Sequence, residues 1–161
     1  MTVCRSAALL VVATLAWCAA AAHAADTSPC RLVTVADVRA AFGGTVSPGR
    51  VDNSLFDAPT CHFAVKGSNL GLSGEAVVFV TPGQTAATFA LAKKLVPGAV
   101  AVAGVGNGAF YNPHTTSIEL RKGTTVASAQ AIFLDPGGPP PDPARTRADT
   151  IVLAKAVARH I

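Results

Sequence analysis

The chain has 161 residues, a formal net charge of +4, and 14% charged against 50% hydrophobic residues. The length fits one ordinary domain. The basic excess is mild and lacks the charged stripe with stacking aromatic residues that nucleic-acid-binding proteins use, so nucleic-acid binding is excluded as an expected function.

The beginning of the sequence is typical of a secretory signal. Arg5 precedes a long apolar run, and the following "AHAAD" has the small residues that signal peptidases recognise. We expect cleavage after Ala24, which makes residues 1–24 a signal peptide and residues 25–161 a single domain, periplasmic or secreted. Lipid attachment at Cys18 is not expected, because the large Trp17 precedes it. No later stretch reaches the roughly 18 apolar residues of a membrane span.

Two cysteines, Cys30 and Cys61, remain after the expected cleavage. An isolated pair in an oxidising compartment favours a structural disulfide. The alternatives are a redox pair and a metal site, but the sequence has neither a C-x-x-C motif nor a second pair of ligands at metal spacing. His62 adjoins Cys61, yet neighbours on a strand point to opposite faces. We therefore predict a disulfide and no metal site.

The first elements follow the cysteine at position 30. Thr34 and Asp37 have capping-box spacing and Gly43 is a stop signal, which together predict a helix over 35–42. The turn-rich stretch after it predicts a weak strand and a loop. In "TCHFAVK" at 60–66, the core-type residues Cys61, Phe63 and Val65 alternate with other residues. This period of two predicts a half-buried strand whose cysteine points inward and whose histidine lies on the opposite face.

The middle of the chain predicts a buried strand and a second helix. "EAVVFVT" at 75–81 is apolar on both faces, which is typical of a strand covered on both sides. A helix is predicted to begin at Thr81 and Pro82. Its predicted apolar face includes Phe89, Ala92 and Leu95.

The last third predicts a hairpin and a closing helix. Lys122 and Gly123 lie where a tight turn between two alternating strands is needed. Asp142 and Pro143 can cap and open the final helix. Strands that arrive as meanders between helices indicate an α+β fold, with an antiparallel sheet of about five or six strands and helices packed on it.

Several short motifs together carry a resemblance. They are "CRLVTVADVRAAFGG", "CHF", "VAGVGNGAFY", a strand ending in "RKG" and an alanine-rich closing helix. This layout resembles small exported bacterial domains of unknown function, and is similar to disulfide-containing cell-envelope lipoproteins and to extracellular sensor domains of receptor kinases. The resemblance implies no catalytic residues.

A glycine-rich stretch, residues 104–108, is the one motif that suggests a phosphate-binding loop. Pyrophosphate binding needs the glycines to precede a helix N-terminus, whereas here Pro113 and several β-branched and aromatic residues follow. We therefore predict a turn leading into a strand, and no bound cofactor. Tyr111 and His114 follow it, look exposed, and are the candidate binding-surface residues.

Candidate catalytic residues are weak. Ser73 lies between glycines without the G-x-S-x-G elbow, so no catalytic residue is assigned and the question of an enzyme stays open. The favoured function is a non-catalytic exported module that binds a protein, a peptide or another envelope component. The alternative is a small-molecule binder or an unrecognised hydrolase with a site near residues 104–114. A cavity on which Tyr111 and His114 converge would favour the alternative.

Overall fold

A computed structural model describes residues 28–53, 58–134 and 140–161. The expected signal peptide and its cleavage site after Ala24 lie outside the described residues. Within the described ranges the chain forms one sheet of eight strands, three α-helices and a short 3₁₀ helix at Pro29–Arg31. All strand pairs are antiparallel. The predicted α+β class is confirmed.

The helices and strands have the following bounds. The helices are α1 at Val35–Phe42, α2 at Ala86–Leu95 and α3 at Pro143–His160. The strands are β1 at Thr45–Val46, β2 at Arg50–Asp52, β3 at Thr60–Lys66, β4 at Ser73–Thr81, β5 at Val100–Val102, β6 at Gly108–Asn112, β7 at Ser117–Lys122 and β8 at Thr125–Leu134. The sheet order is β1-β3-β4-β8-β7-β6-β5, and β2 also pairs with β3.

The eight strands exceed the five or six expected from the sequence. The additional pairing comes from very short strands: β1 and β2 both pair with β3, and β5 pairs with β6. Two- and three-residue strands have too few positions to show a period of two, so pattern alone cannot find them. The hairpin at Lys122 and Gly123 is confirmed, since Lys122 pairs with Thr125.

The main core lies between the sheet and the two helices α1 and α3; we call this side of the sheet the α1/α3 face. Phe63, Val78, Ile118 and Leu120 contribute to it from the strands, and Leu153 contributes from α3. Each of these five side chains is at most 1% exposed. Burial of such a side chain stabilises the fold by about 1.5 to 3 kcal/mol relative to leaving it in water.

Helix α1 begins and ends where the sequence predicts. The Thr34 hydroxyl accepts a hydrogen bond from the Asp37 backbone N–H, and the Asp37 carboxylate accepts one from the Thr34 N–H. This capping box satisfies N–H groups that the first helical turn leaves free. At the other end Gly43 has a φ of 71°, a left-handed conformation that favours glycine and ends the helix.

The predicted disulfide between Cys30 and Cys61 is present, with the two Cα atoms 5.0 Å apart. Cys61 is fully buried on β3, and the bond ties the chain ahead of α1 to that strand. It closes a loop with a sequence separation of 31 residues. In the chain-entropy view, a loop of this length gives about 3 to 4 kcal/mol of stabilisation.

Helix α2 lies on the opposite side of the sheet, which we call the α2 face. It is attached mainly through Phe89, whose ring centroid lies 5.4 Å from that of Phe110 on β6. The sequence places its start too early, because Thr81 ends β4 and the helix begins after Thr85. Thr85 and Thr88 form a reciprocal cap that replaces the predicted one. Leu95, predicted to face inward, is 72% exposed.

Candidate functional site

Tyr111 lies deeper than the sequence suggests. It is the fourth residue of β6 and pairs with Val100 on one side and Ile118 on the other. Alternation along the strand places its ring on the α1/α3 face, where the residue is only 7% exposed. The expectation of an exposed tyrosine is therefore wrong.

His114 is exposed and lies in the turn between β6 and β7. Its backbone N–H donates to the Asn112 side-chain oxygen at 3.0 Å, which folds the chain back after the strand. Its imidazole Nε2 lies 3.1 Å from the Pro97 carbonyl oxygen, so Nε2 carries the proton and donates it there. This contact joins the turn to the segment that follows α2.

Two further hydrogen bonds secure this turn to β8. The Thr116 hydroxyl donates to the Ala131 carbonyl oxygen at 2.7 Å, and the Gln130 amide donates to the Thr115 carbonyl oxygen at 2.7 Å. Thr116 has a φ of 53°, a conformation that costs energy for a β-branched residue. The turn is therefore tied to β8 at two points.

The start of α3 lies opposite this turn. Asp142 caps the helix by accepting from the Ala144 N–H at 2.9 Å, as the sequence predicts, and Pro143 occupies the first turn. The Thr146 hydroxyl donates to the Asp142 carbonyl oxygen at 2.9 Å. Arg147 extends over the Tyr111 ring, with its guanidinium carbon 5.2 Å from the ring centroid.

These elements line a cavity of about 740 Å³ that is open to solvent. The side chains that determine its chemistry are Tyr111, His114, Gln130, Phe133, Thr146 and Arg147. The structure thus brings together the two candidate residues of the sequence, Tyr111 and His114. It adds Arg147 and Phe133, which sequence reasoning missed because their approach depends on how α3 lies across the sheet.

The glycine-rich turn is separate from this cavity. Residues 104–108 connect β5 to β6 at the end of β6 opposite Asn112, and they do not line the cavity. Gly104 and Gly106 have φ angles of 73° and 56°, which confirms the predicted turn. A strand follows rather than a helix, so the turn offers no helix N-terminus for a phosphate.

A polar cluster on the α2 face surrounds His62. This residue is 7% exposed, so the solvent-facing position that its alternation suggests is wrong. Thr60 donates its hydroxyl to the Asp52 carbonyl oxygen at 2.7 Å, so its oxygen accepts from His62 Nε2 at 3.1 Å. Nδ1 lies 3.0 Å from Glu75 Oε2, within hydrogen-bond distance.

A second polar cluster on the same face centres on Glu119. Its Oε1 accepts hydrogen bonds from the hydroxyls of Ser117, at 2.7 Å, and Ser128, at 2.9 Å. Burial raises the pKa of the Glu119 carboxyl, although the two serine hydrogen bonds act in the opposite direction. Both serines are at most 2% exposed. Alternation alone does not reveal this cluster, because serine and glutamate are ordinary residues on a solvent-facing strand.

A comparison of the chain with protein-family models, curated proteins and solved structures gives no match. The resemblance to exported envelope and sensor domains therefore stays a prediction. No helix in the described part of the chain combines the length and apolar character needed to cross a bilayer. Groups of three or more metal-ligating side chains do not occur among the residues that the structure describes.

Proposed function

We propose that this chain is an exported, non-catalytic binding module whose cavity takes a small organic anion with an apolar body. The disulfide between Cys30 and Cys61 supports an oxidising, extracytoplasmic location. The cavity volume of about 740 Å³ lies within the range of natural ligand pockets. The proposal keeps the expected envelope location and adopts the small-molecule alternative for the ligand.

Arg147 is the observation that carries the proposal. Its guanidinium carbon lies 5.2 Å from the centroid of the Tyr111 ring, and within residues 28–53, 58–134 and 140–161 no carboxylate forms an ion pair with it. A cation–π contact with the ring leaves the guanidinium N–H donors for a carboxylate or phosphate.

The remaining lining accounts for the apolar part of the ligand. Phe133 and Ile132 of β8 and the prolines 140, 141 and 143 surround the cavity. These side chains offer contact area without hydrogen-bond donors, which is the usual composition of a pocket that binds a small molecule. A ligand with one anionic group and a short hydrocarbon chain matches both Arg147 and this apolar lining.

The polar groups of the cavity favour binding over hydrolysis. Thr146 and Thr116 each donate their hydroxyl to a backbone carbonyl, so neither is held by a base as an activated nucleophile. His114 donates Nε2–H to the Pro97 carbonyl oxygen. These groups hold the lining of the cavity in place, and the Arg147 guanidinium binds the anionic group of the ligand.

Tyr111 offers a direct test, because it is the only tyrosine in the sequence. Titration with octanoate should change its fluorescence saturably, and calorimetry should give the same affinity. Octylammonium has the same chain with the opposite charge and should not bind. Arg147→Gln should weaken octanoate binding by about tenfold to hundredfold, the usual range for losing a hydrogen bond to a charged group.

Arg39→Gln is the matched control, since Arg39 is an exposed arginine on α1 that does not line the cavity. It should bind octanoate like the unchanged chain. Equal binding of octanoate and octylammonium, or unchanged binding in the Arg147→Gln variant, would contradict the proposed anion site.

A further inference from the structure

Helix α2 presents apolar side chains away from the protein. None of its residues is buried, and Leu91 and Leu95 are 56% and 72% exposed. The two leucines are four residues apart, so they lie on the same side of the helix. Phe89 points the other way, onto Phe110, and accounts for the attachment of α2 to the sheet. The outward leucines therefore contribute little to the stability of the fold.

Positive charge accompanies these leucines. Lys93 and Lys94 lie in the last turn of α2. Lys94 is exposed next to Leu95, whereas Lys93 follows Phe89 by four residues, is half-buried like it, and lies on the inward side of the helix. Residues 76–118 contain no aspartate or glutamate, so no acidic side chain from this segment offsets Lys94. The outward side of α2 thus combines two exposed leucines with one exposed lysine.

We propose that the outward side of α2 docks the protein on an anionic lipid bilayer. The leucines would enter the boundary between headgroups and acyl chains, while Lys94 contacts lipid phosphates. Lysine is depleted in interfaces between proteins, but it suits a lipid surface because its aliphatic stem lies along apolar groups while its ammonium reaches water. The combination of residues therefore favours a lipid surface over a protein partner.

Helix α2 and the cavity lie on opposite faces of the sheet, and the hydrogen bond from His114 to the Pro97 carbonyl oxygen links the segment after α2 to the cavity lining. The docking itself does not depend on the proposed ligand, and each is tested separately.

Vesicle flotation tests the docking with one probe, bilayers of phosphatidylcholine with or without 30% phosphatidylglycerol. The exported form should bind the anionic vesicles and should be released by high salt, because exposed charge interactions are screened. Leu91→Gln with Leu95→Gln should reduce binding by at least about tenfold, since water-exposed apolar area no longer enters the bilayer. Lys94→Gln should reduce binding to anionic vesicles by about fivefold.

Val152→Gln on α3 is the matched control, because Val152 is 44% exposed but lies on a different helix. It should bind like the unchanged chain, and thermal melting should show that every variant is folded. All variants are compared in the same form of the chain, so residues 1–24 cannot account for a difference. Equal binding to neutral vesicles, or leucine variants that bind normally, would overturn the proposal. A dimer in light scattering that the leucine variants dissociate would also overturn it, and would assign the surface to self-association.

Discussion

Helices α2 and α3 lie on opposite faces of the same sheet and use their apolar residues differently. Seven residues of α3 are buried, whereas α2 buries none. The sequence predicts both segments as helices with an apolar side, but only α3 buries that side against the sheet. The comparison shows that an apolar stripe predicts a helix and does not by itself tell which of its residues the fold will bury.

The largest expected difference is in stability. Leu153 on α3 is fully buried, so Leu153→Ala should lower the free energy of unfolding by about 2 to 5 kcal/mol. Leu95 on α2 is 72% exposed, and Leu95→Ala should change it by no more than about 0.5 kcal/mol. Urea unfolding of both variants measures the effect. Comparable losses would mean that α2 packs as tightly as α3 and would break the comparison.

The same contrast between packed and open positions occurs within the turn at 104–108. Both Gly104 and Gly106 have positive φ angles, but an added Cβ at Gly106 would lie 2.5 Å from the Arg121 carbonyl oxygen, while one at Gly104 would meet nothing within 4 Å. Gly104→Ala should therefore cost about 1 kcal/mol from backbone strain alone. Gly106→Ala should cost about 2 to 3 kcal/mol, because crowding adds to the strain.

Urea unfolding again provides the measurement, and each alanine variant serves as the other's control. A ranking in which Gly104→Ala is the more damaging change would contradict the packing of this turn against the end of β7.

The smallest expected effect concerns two carboxylates, one associated with each face. Burial raises the pKa of Glu119 on the α2 face. Asp37 on α1 is also affected by burial, but its hydrogen bonds with Thr34 and the charge of Arg159 outweigh this and lower its pKa. The two groups should therefore give opposite pH dependences.

The direction in which each group changes stability with pH follows from proton binding. The folded protein holds the Glu119 proton more tightly than the unfolded chain, so this group stabilises the fold below its ordinary pKa of 4.5 and loses that contribution as pH rises through the raised value. Asp37 stabilises the fold above its ordinary pKa of 3.8 and loses the contribution as pH falls through its lowered value.

Glu119→Gln keeps an oxygen that accepts from both serines and removes the titration. It should lessen the loss of stability that the unchanged chain shows as the pH rises above about 4.5. Asp37→Asn should instead reduce the loss on acidification below about pH 4. Urea unfolding across this range measures both changes. A Glu119→Gln profile parallel to that of the unchanged chain would argue against a buried, proton-retaining glutamate.

Much of the fold could be predicted from local chemistry. Thr34, Asp37 and Gly43 mark the ends of α1, and Asp142 with Pro143 marks the start of α3, because capping depends on residues within one turn. The sequence does not locate the start of α2 correctly, because Thr81 and Thr85 both look like helix caps. The reciprocal bonds of Thr85 with Thr88 decide between them.

The candidate site was predicted only in part. Tyr111 and His114 are recognisable as polar-tipped residues beside a turn, but the depth of Tyr111 depends on which sheet face α3 covers. Arg147 carries no local signal, since an arginine in the first turns of a helix is ordinary. His62 and Glu119 likewise follow strand alternation, and their burial comes from tertiary packing that a single strand cannot reveal.

The pairing of β4 with β8 has a consequence for how the chain reaches this fold. It is the central pair of the sheet, yet the two strands are separated by α2 and by β5, β6 and β7. The strands before α2 pair among themselves, and so do those after it, which leaves β4 and β8 as open edges until the halves meet. Such long-range pairing slows folding, and open edges recruit other chains. A newly synthesised chain is therefore most vulnerable to aggregation before its last strand and closing helix have docked.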